Sequence, residues 1–266
     1  MGSFYAYDFI WDDVPSNIYG LKIINFGGAG VYSGYGSSNV EIFNQRVFKK
    51  AKPYYLGRTQ SPVLEFPLTF GSETVLSAID RNLISQWLFG ATTHKKLQIC
   101  QDDLADVYWN CFLTDPSPKY VGNLNYAFET RVVCDSPFAY SFPKTISGSF
   151  AGDEVIYYDL EFFNTSADAD YLYPQIEFTL NSIGDSFSIT NQDDDNREFA
   201  FVDLSPNETI TIDNDLQTVV SSTGLLRLSD FNKNWLRFVP GLNRLSIISG
   251  IGTFDITYQN RFKVGG

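Results

Sequence analysis

The sequence predicts a mainly β protein with two domains. The first is expected to be an α+β domain, a β-sandwich with one α-helix and an extended hairpin, and the second a β-sandwich or jelly roll. Its 266 residues exceed the roughly 150 residues of an average domain. Apolar residues make up 44% and charged residues 19%, a balance typical of a folded chain. A single stretch has the spacing of an amphipathic helix, and it lies in the first half.

The domain boundary is indicated by a change in charge. Residues 1–141 contain 11 bases and 13 acids, whereas residues 142–266 contain 8 bases and 18 acids. Nearly all of the net charge of −12 therefore belongs to the second half. The change falls at residues 136–150, where proline, serine and glycine are frequent, as in a linker. We expect domains at 1–141 and 142–266.

The first domain combines strands with one helix. Residues 74–89 place apolar side chains three or four apart and predict the helix, with Ser72 or Thr74 as its cap and Gly90 as a left-handed stop. Residues 115–118, Asp-Pro-Ser-Pro, predict a turn. Strands are predicted at residues 20–24, 39–43, 61–70, 96–100, 107–113 and 126–133.

The second domain lacks any competing helical pattern. Turn residues recur every 8–12 positions, which is typical of a sandwich or jelly roll. Strands are predicted at residues 155–163, 175–180, 186–190, 198–202, 208–213, 225–228, 244–249 and 253–258.

Composition excludes several classes of partner. The acidic balance disfavours nucleic acid, because a phosphate-binding surface needs positive charge. No apolar stretch approaches the ~18 residues of a membrane span, and the N-terminus lacks the basic region of a signal peptide. Three widely spaced cysteines, 100, 111 and 134, predict buried thiols made in a reducing cytoplasm rather than disulfides or zinc ligands.

Candidate chemical sites also have structural explanations. The glycine-rich loop at 25–38 is followed by a strand-like segment, not by the helix that a dinucleotide site requires. His94, the sole histidine, lies in a turn-like context beside two lysines. The acidic run 193–196 lacks the glycine and distal glutamate of an EF-hand, so a solvated hairpin turn is expected. We predict no catalytic residue, no cofactor and no metal.

Several segments, in their order along the chain, carry a resemblance to a known family. They are residues 54–70 (YYLGRTQSPVLEFPLTF), 83–90 (LISQWLFG), 95–103 (KKLQICQDD), 107–113 (VYWNCFL), 128–141 (FETRVVCDSPFAYS) and 237–262, with Pro240-Gly241-Leu242-Asn243 as a closing turn. In this arrangement the chain resembles the distal tail proteins (Dit) of long-tailed, non-contractile bacteriophages, in their short form without an inserted carbohydrate-binding module.

The resemblance implies a structural role in the virion, at the tail tip or baseplate, for a protein made in the host cytoplasm. It implies a homo-hexameric ring built by the N-terminal domains, with galectin-like C-terminal β-sandwiches outside it. The implied partners are the tail tube protein, the tail-associated lysin or hub protein, and receptor-binding proteins, with no nucleic acid or membrane.

A basic and aromatic segment is the candidate ring interface. Residues 46–52 are the one cationic run of an acidic chain, and aromatic residues follow directly. The run is either a solvated hairpin arm or an arm that lies on a neighbouring subunit of the ring. The candidate interface residues are Arg46, Val47, Phe48, Lys49, Tyr54, Tyr55 and Leu56.

Two other functions stay open at this point. The 43 aromatic residues could include a sugar-stacking surface on the second domain, which would make the protein a carbohydrate-binding adhesin. Glu154, Asp159 and Glu161 could form the carboxylate pair of a glycoside hydrolase, although strand-face acids are more commonly solvated edge residues.

Overall fold

A computed structural model describes residues 8–24, 40–60, 63–162, 171–181 and 186–262. The glycine-rich loop predicted at 25–38 lies outside the described residues. The chain divides into two compact units, which are Met1–Tyr140 with Lys263–Gly266, and Ser141–Phe262. Both are built of antiparallel strands, so the prediction of a mainly β fold is confirmed.

The first unit is organised around one antiparallel sheet. Its strands run in the order β2-β1-β7-β8-β9-β6-β3, while β4 and β5 form a separate two-stranded sheet. The strands are β1 (Phe9–Trp11), β2 (Val14–Pro15), β3 (Lys22–Ile23), β4 (Val40–Gln45), β5 (Tyr54–Gln60), β6 (Glu65–Gly71), β7 (Lys95–Ile99), β8 (Val107–Val121), β9 (Leu124–Cys134) and β10 (Ala139–Ser141), with 3-10 turns at Ser16–Tyr19 and Asp102–Leu104.

The predicted turn at 115–118 is wrong, because β8 continues through both prolines to Val121. The pairing of β8 with β9 shifts between Thr114 and Ser117, and Asp115 adopts a positive φ of 53°. A β-bulge therefore absorbs the prolines without ending the strand. The sequence Asp-Pro-Ser-Pro, which is typical of turns, therefore forms an irregularity within a long hairpin in this protein.

The helix α1 (Ala78–Phe89) begins four residues later than predicted. Ser77, rather than Ser72 or Thr74, is the N-cap: its Oγ accepts a hydrogen bond from the Asp80 amide at 3.2 Å, and the Asp80 carboxylate accepts one from the Ser77 amide at 3.0 Å. Gly90 has φ −80°, so the predicted left-handed stop is also wrong. Glycine is needed there because a Cβ would overlap the Gln86 carbonyl oxygen.

The second unit is a β-sandwich whose strands run in the order β14-β13-β17-β12-β15-β16, with β11 also paired to β17. Its core is rich in phenylalanine, including Phe178, Phe187 and Phe254. Its strands are β11 (Lys144–Phe162), β12 (Gln175–Leu180), β13 (Phe187–Asn191), β14 (Arg197–Phe201), β15 (Glu208–Asp213), β16 (Thr218–Ser221) and β17 (Gly241–Tyr258). The short strand β18 (Arg261–Phe262) is not part of this sheet and pairs with β10.

Two strand predictions in the second unit are corrected. The strands predicted at 244–249 and 253–258 are one continuous strand, β17, whose two halves pair with β13 and β12 on one edge. The strand predicted at 225–228 is a loop. Its apolar side chains face solvent and its arginine points inward, which is the reverse of the expected pattern.

Candidate interaction surfaces

The hairpin of β4 and β5, with the turn between them, is the most exposed feature of the first unit. We call residues 40–60 the interface arm. The two strands pair from Val40 opposite Gln60 to Gln45 opposite Tyr54, with one register shift after Phe43. Among the described strands, they pair only with each other. A two-stranded hairpin alone is marginally stable in water, so this arrangement marks the hairpin as a candidate contact surface.

The interface arm exposes apolar side chains along its whole length. Phe48, beside the turn, is 87% exposed, and Leu56 and Tyr55 are each more than 60% exposed. The seven predicted interface residues, Arg46, Val47, Phe48, Lys49, Tyr54, Tyr55 and Leu56, all lie on this one hairpin, and the structure adds exposed Ile42 and Phe43. Clustered exposed apolar groups of this kind mark binding surfaces.

The arm is also cationic, unlike the remainder of the chain. Residues 40–60 contain five bases and one acid, while all other residues contain 14 bases and 30 acids. The Lys50 Nζ donates a hydrogen bond to the Tyr54 hydroxyl at 2.7 Å, and the Lys49 Nζ lies 5.6 Å from the Phe48 ring centroid. An open cleft of about 600 Å³ is lined by Lys50 to Tyr55. Aromatic rings and ammonium groups are thus interleaved at the tip.

A second apolar surface lies on the second unit, in the loop of residues 222–230, here called the leucine loop. Leu225, Leu226 and Leu228 are exposed, and Leu226 at 93% is the most exposed large apolar side chain of the described residues. Arg227, between them, is buried. In this loop the arginine side chain is therefore buried, and the three leucine side chains around it are exposed to solvent.

Arg227 is anchored by an ion pair with Glu208, whose side chain is fully buried on β15. The guanidinium donates to both carboxylate oxygens, at 2.8 and 2.5 Å, and to Asp230 and Ser205, each at 2.8 Å. Hydrogen bonding by Arg227 lowers the pKa of Glu208 to about 2. This satisfied network holds Arg227 in place within the leucine loop, between the exposed leucines.

The closing turn singled out in the sequence has a structural role. The side chain of Asn243 is fully buried. Its Oδ1 accepts hydrogen bonds from the Val239 amide at 2.8 Å and from Asn191 Nδ2 at 2.9 Å, while its Nδ2 donates to the Val239 carbonyl at 2.8 Å. The asparagine therefore ties the start of β17 to the end of β13.

Two acidic residues considered for chemistry are paired with arginines. In the turn at 193–196, Arg244 Nη2 donates to Asp193 at 2.6 Å, and Arg237 Nε donates to Asp194 at 2.8 Å. This turn joins β13 to β14 as predicted, but Asp194 is buried and not solvated. Asp159 is exposed on β11 and lies opposite Arg244, while the side chains of Glu154 and Glu161 lie outside what the structure describes.

His94 is exposed, as predicted, and its ring lies 4.4 Å from that of Phe112. The prediction of three buried thiols is wrong for Cys100, which is exposed at the end of β7, whereas Cys111 and Cys134 are buried. Within the described ranges, no three His, Cys, Asp or Glu side chains are grouped as a metal site requires. None of the helices described there is long and apolar enough to cross a membrane.

Comparisons with known proteins agree with this architecture. Residues 4–136 match the family model of a phage tail protein N-terminal domain, and residues 138–258 match that of a phage tail C-terminal domain. The crystal structure of SPP1 Dit (gp 19.1), described as a paradigm of the hub adsorption apparatus in phages that infect Gram-positive bacteria, is similar with a TM-score of 0.67. That match covers 96% of this chain and 99% of SPP1 Dit at 9% identity, so it shows a shared fold.

A chain of the activated phage p2 baseplate also matches, with a TM-score of 0.48 and 12% identity over 94% of this chain and 97% of that one. No curated protein matches the sequence.

Proposed function

The chain belongs to the phage tail protein family, and we propose that within the tail it is a distal tail protein, a ring-forming component of the tip without catalytic activity. The resemblance to this family seen in the sequence is confirmed by the two domain models and by the fold shared with SPP1 Dit. The protein is thus a component of the virion. We propose in addition that it lies at the tip of the tail and that it assembles into a ring.

One observation carries the proposal of a ring, the isolated interface arm. It is apolar and cationic, and its strands pair only with each other among the described strands, while the remaining residues are strongly acidic. A second copy of the chain supplies a complementary acidic surface, and burying Phe48, Tyr55 and Leu56 there supplies the apolar contact. We propose that each arm lies on the next subunit, and that six subunits close the ring.

The remaining parts of the proposal come from the resemblance to the distal tail proteins. Residues 1–141 form the ring, and residues 142–266 form the galectin-like domain outside it. The tail tube protein joins one side of the ring and the tail-associated lysin or hub protein joins the other. The leucine loop, being apolar and rigidly anchored, is the surface for a further tail protein such as a receptor-binding protein. The chain is made in the host cytoplasm and needs no cofactor.

Size-exclusion chromatography with light scattering tests the ring, using the full chain. Six copies of the 30.0 kDa chain should give a particle of about 180 kDa. Replacing Phe48 and Leu56 together with serine should shift this particle toward monomer, because both exposed side chains lie on the interface arm. Leu216→Ser, at a residue 72% exposed in the second unit, is the matched control and should leave the particle intact.

Two results would contradict the proposal. A strict monomer at every concentration, with no ring in negative-stain images, would exclude self-assembly of the chain. A double variant that assembles as well as the unaltered chain would show that the interface arm is not the contact.

A carbohydrate-binding adhesin is the second candidate, favoured by one observation. Tyr157 on β11 is 69% exposed and lies opposite Ser246 on β17, so an aromatic ring on which a sugar can stack adjoins a hydroxyl group that can hydrogen-bond to it. A glycan array probed with the full chain tests this. Binding that disappears in Tyr157→Ala would favour the adhesin, whereas the absence of binding by the unaltered chain would reject it.

A further inference from the structure

Two cysteines of the first unit face each other across the central strands of its sheet. Cys111 lies on β8 and Cys134 ends β9, and the antiparallel register places them directly opposite. Both are free thiols with almost no exposed surface. Directly opposite residues of an antiparallel pair project from the same face of the sheet, so the two thiols lie side by side.

The backbone hydrogen bonds around Cys111 and Cys134 show which of the two kinds of antiparallel residue pair these cysteines form. The Asp135 amide donates to the Asn110 carbonyl at 2.9 Å, across the same two strands. The Cys134 amide instead donates away from β8, to the Leu64 carbonyl at 2.9 Å. Because pairs alternate along an antiparallel ladder, Cys111 and Cys134 form a non-hydrogen-bonded pair, with Cα atoms roughly 4.5 Å apart.

That spacing lies within the range of about 4.4–6.8 Å that disulfides occupy. Closing a disulfide therefore requires side-chain rotation but no separation or sliding of the strands. Cys100, the third cysteine, lies at the end of β7 and is exposed, so it is chemically distinct from this pair.

We propose that Cys111 and Cys134 are an oxidation site that closes into a cross-strand disulfide after the virion leaves the reducing cytoplasm. Extracellular particles meet an oxidising environment, in which disulfides form and persist. The oxidant is a small-molecule disulfide of the glutathione class. The product locks the central hairpin of the first unit, residues 111–134, in its assembled geometry.

The exchange balances in two steps. The thiolate of one cysteine attacks the small disulfide, forms a mixed disulfide and releases one small thiolate. The second cysteine, as a thiolate, then attacks the protein sulfur of that mixed disulfide, forms the Cys111–Cys134 bond and releases the second small thiolate. The two cysteine protons end on the two released thiols, so the protein loses two electrons and the oxidant gains them.

Burial determines when the reaction occurs. Burial, with the neighbouring Cys134 thiol, raises the pKa of Cys111 well above its usual value. Thiolate is the reactive form, and oxidant reaches the pair only through local opening of the sheet. The pair therefore stays reduced through synthesis and assembly, and closes slowly afterwards.

Incubation of the full-length Cys100→Ser variant with oxidised glutathione tests the proposal. The intact mass should fall by about 2 Da through loss of two hydrogens, and peptide mapping should link residues 111 and 134. The disulfide should raise the Tm of the first unit by about 5–10 °C, reversed by a reducing agent. The matched control, Cys100→Ser with Cys111→Ser, should form no intramolecular bond and gain no Tm.

Capping of the exposed Cys100 in the unaltered chain shows that the oxidant is active. The incubation continues until hydrogen exchange at residues 111 and 134 is complete, because that exchange reports the local opening through which oxidant reaches the pair. Free thiols at 111 and 134 after that time, detected by alkylation after denaturation, would overturn the proposal. A bond between chains, or an intramolecular bond without a rise in Tm, would overturn it as well. These measurements do not depend on ring formation, so their failure is distinct from failure of the proposed ring.

Discussion

Replacing Arg227 with methionine tests how the leucine loop is held. The change keeps an apolar stem but removes the charge that pairs with Glu208, whose side chain has no exposed surface. Breaking a buried ion pair by removing one partner costs about 3–5 kcal/mol, because the other charge stays buried and uncompensated. We expect the free energy of unfolding of the second unit to fall by that amount.

Urea unfolding measures the loss, with hydrogen exchange of β15 and β16 peptides assigning it to the second unit. Arg244→Met is the matched control, because its partner Asp193 forms a half-exposed pair worth about 0–1 kcal/mol. Arg227→Met combined with Glu208→Gln should regain at least half of the loss, since no charge is then left buried. A single variant no weaker than the control, or a double variant as weak as the single, would refute the reasoning.

The same pair predicts an acid dependence. Arg227 holds the pKa of Glu208 at about 2, below its ordinary value of 4.5. A lowered pKa means that the unfolded chain binds the proton more tightly, so the stabilisation is complete above about pH 4.5 and is lost as pH falls toward 2. The difference in Tm between the unaltered chain and the double variant should shrink across that range, and a constant difference would contradict the assignment.

Three further changes test local structure, each by urea unfolding. Ser77→Ala removes the N-cap of α1 and should cost about 1 kcal/mol, whereas Ser72→Ala, at the cap that the sequence suggested, should cost less than half of that. Asn243→Ala removes one of the two hydrogen bonds that Asn191 Nδ2 donates, the bond to the Arg237 carbonyl being kept, and it takes the partner of the Val239 amide away, so it should cost about 1–3 kcal/mol. Gly252→Ala places a Cβ against the Thr179 carbonyl oxygen and should cost at least about 2 kcal/mol, and a neutral result would mean that β12 and β17 approach less closely.

The sequence predicted the fold class because periodicity survives in most elements. The alternation along residues 175–180 and 208–213 matches β12 and β15 to the residue. The prediction from periodicity failed where a residue distant in sequence determines which side chains are buried. The apolar segment Leu-Leu-Arg-Leu was predicted as a strand, but Glu208, nearly twenty residues earlier, pairs with Arg227 in the interior and the leucines are exposed.

The candidate interface was predictable in part. The cationic run and the aromatic residues after it are visible in the sequence, and the structure places all of them on the interface arm. What the sequence could not show is that this hairpin pairs with none of the other described strands, since pairing partners are set by tertiary structure. The exposure of Ile42 and Phe43 was not predictable from the sequence either, because apolar strand residues are ordinarily expected in a core.

In the proposed ring, charged and apolar residues contribute to association in different ways. Outside the arm, each copy has 30 acids and 14 bases, so two copies repel each other at long range. The arm has five bases and one acid, and its positive charge offsets part of this repulsion. Exposed charges are screened within about 8 Å at physiological ionic strength, so they direct the encounter more than they hold the contact. Apolar burial of Phe48, Tyr55 and Leu56 must then supply the persistent attraction. In the proposed ring, charge would thus select the surface that the arm meets and the aromatic groups would hold it there, and the hairpin carries both kinds of residue.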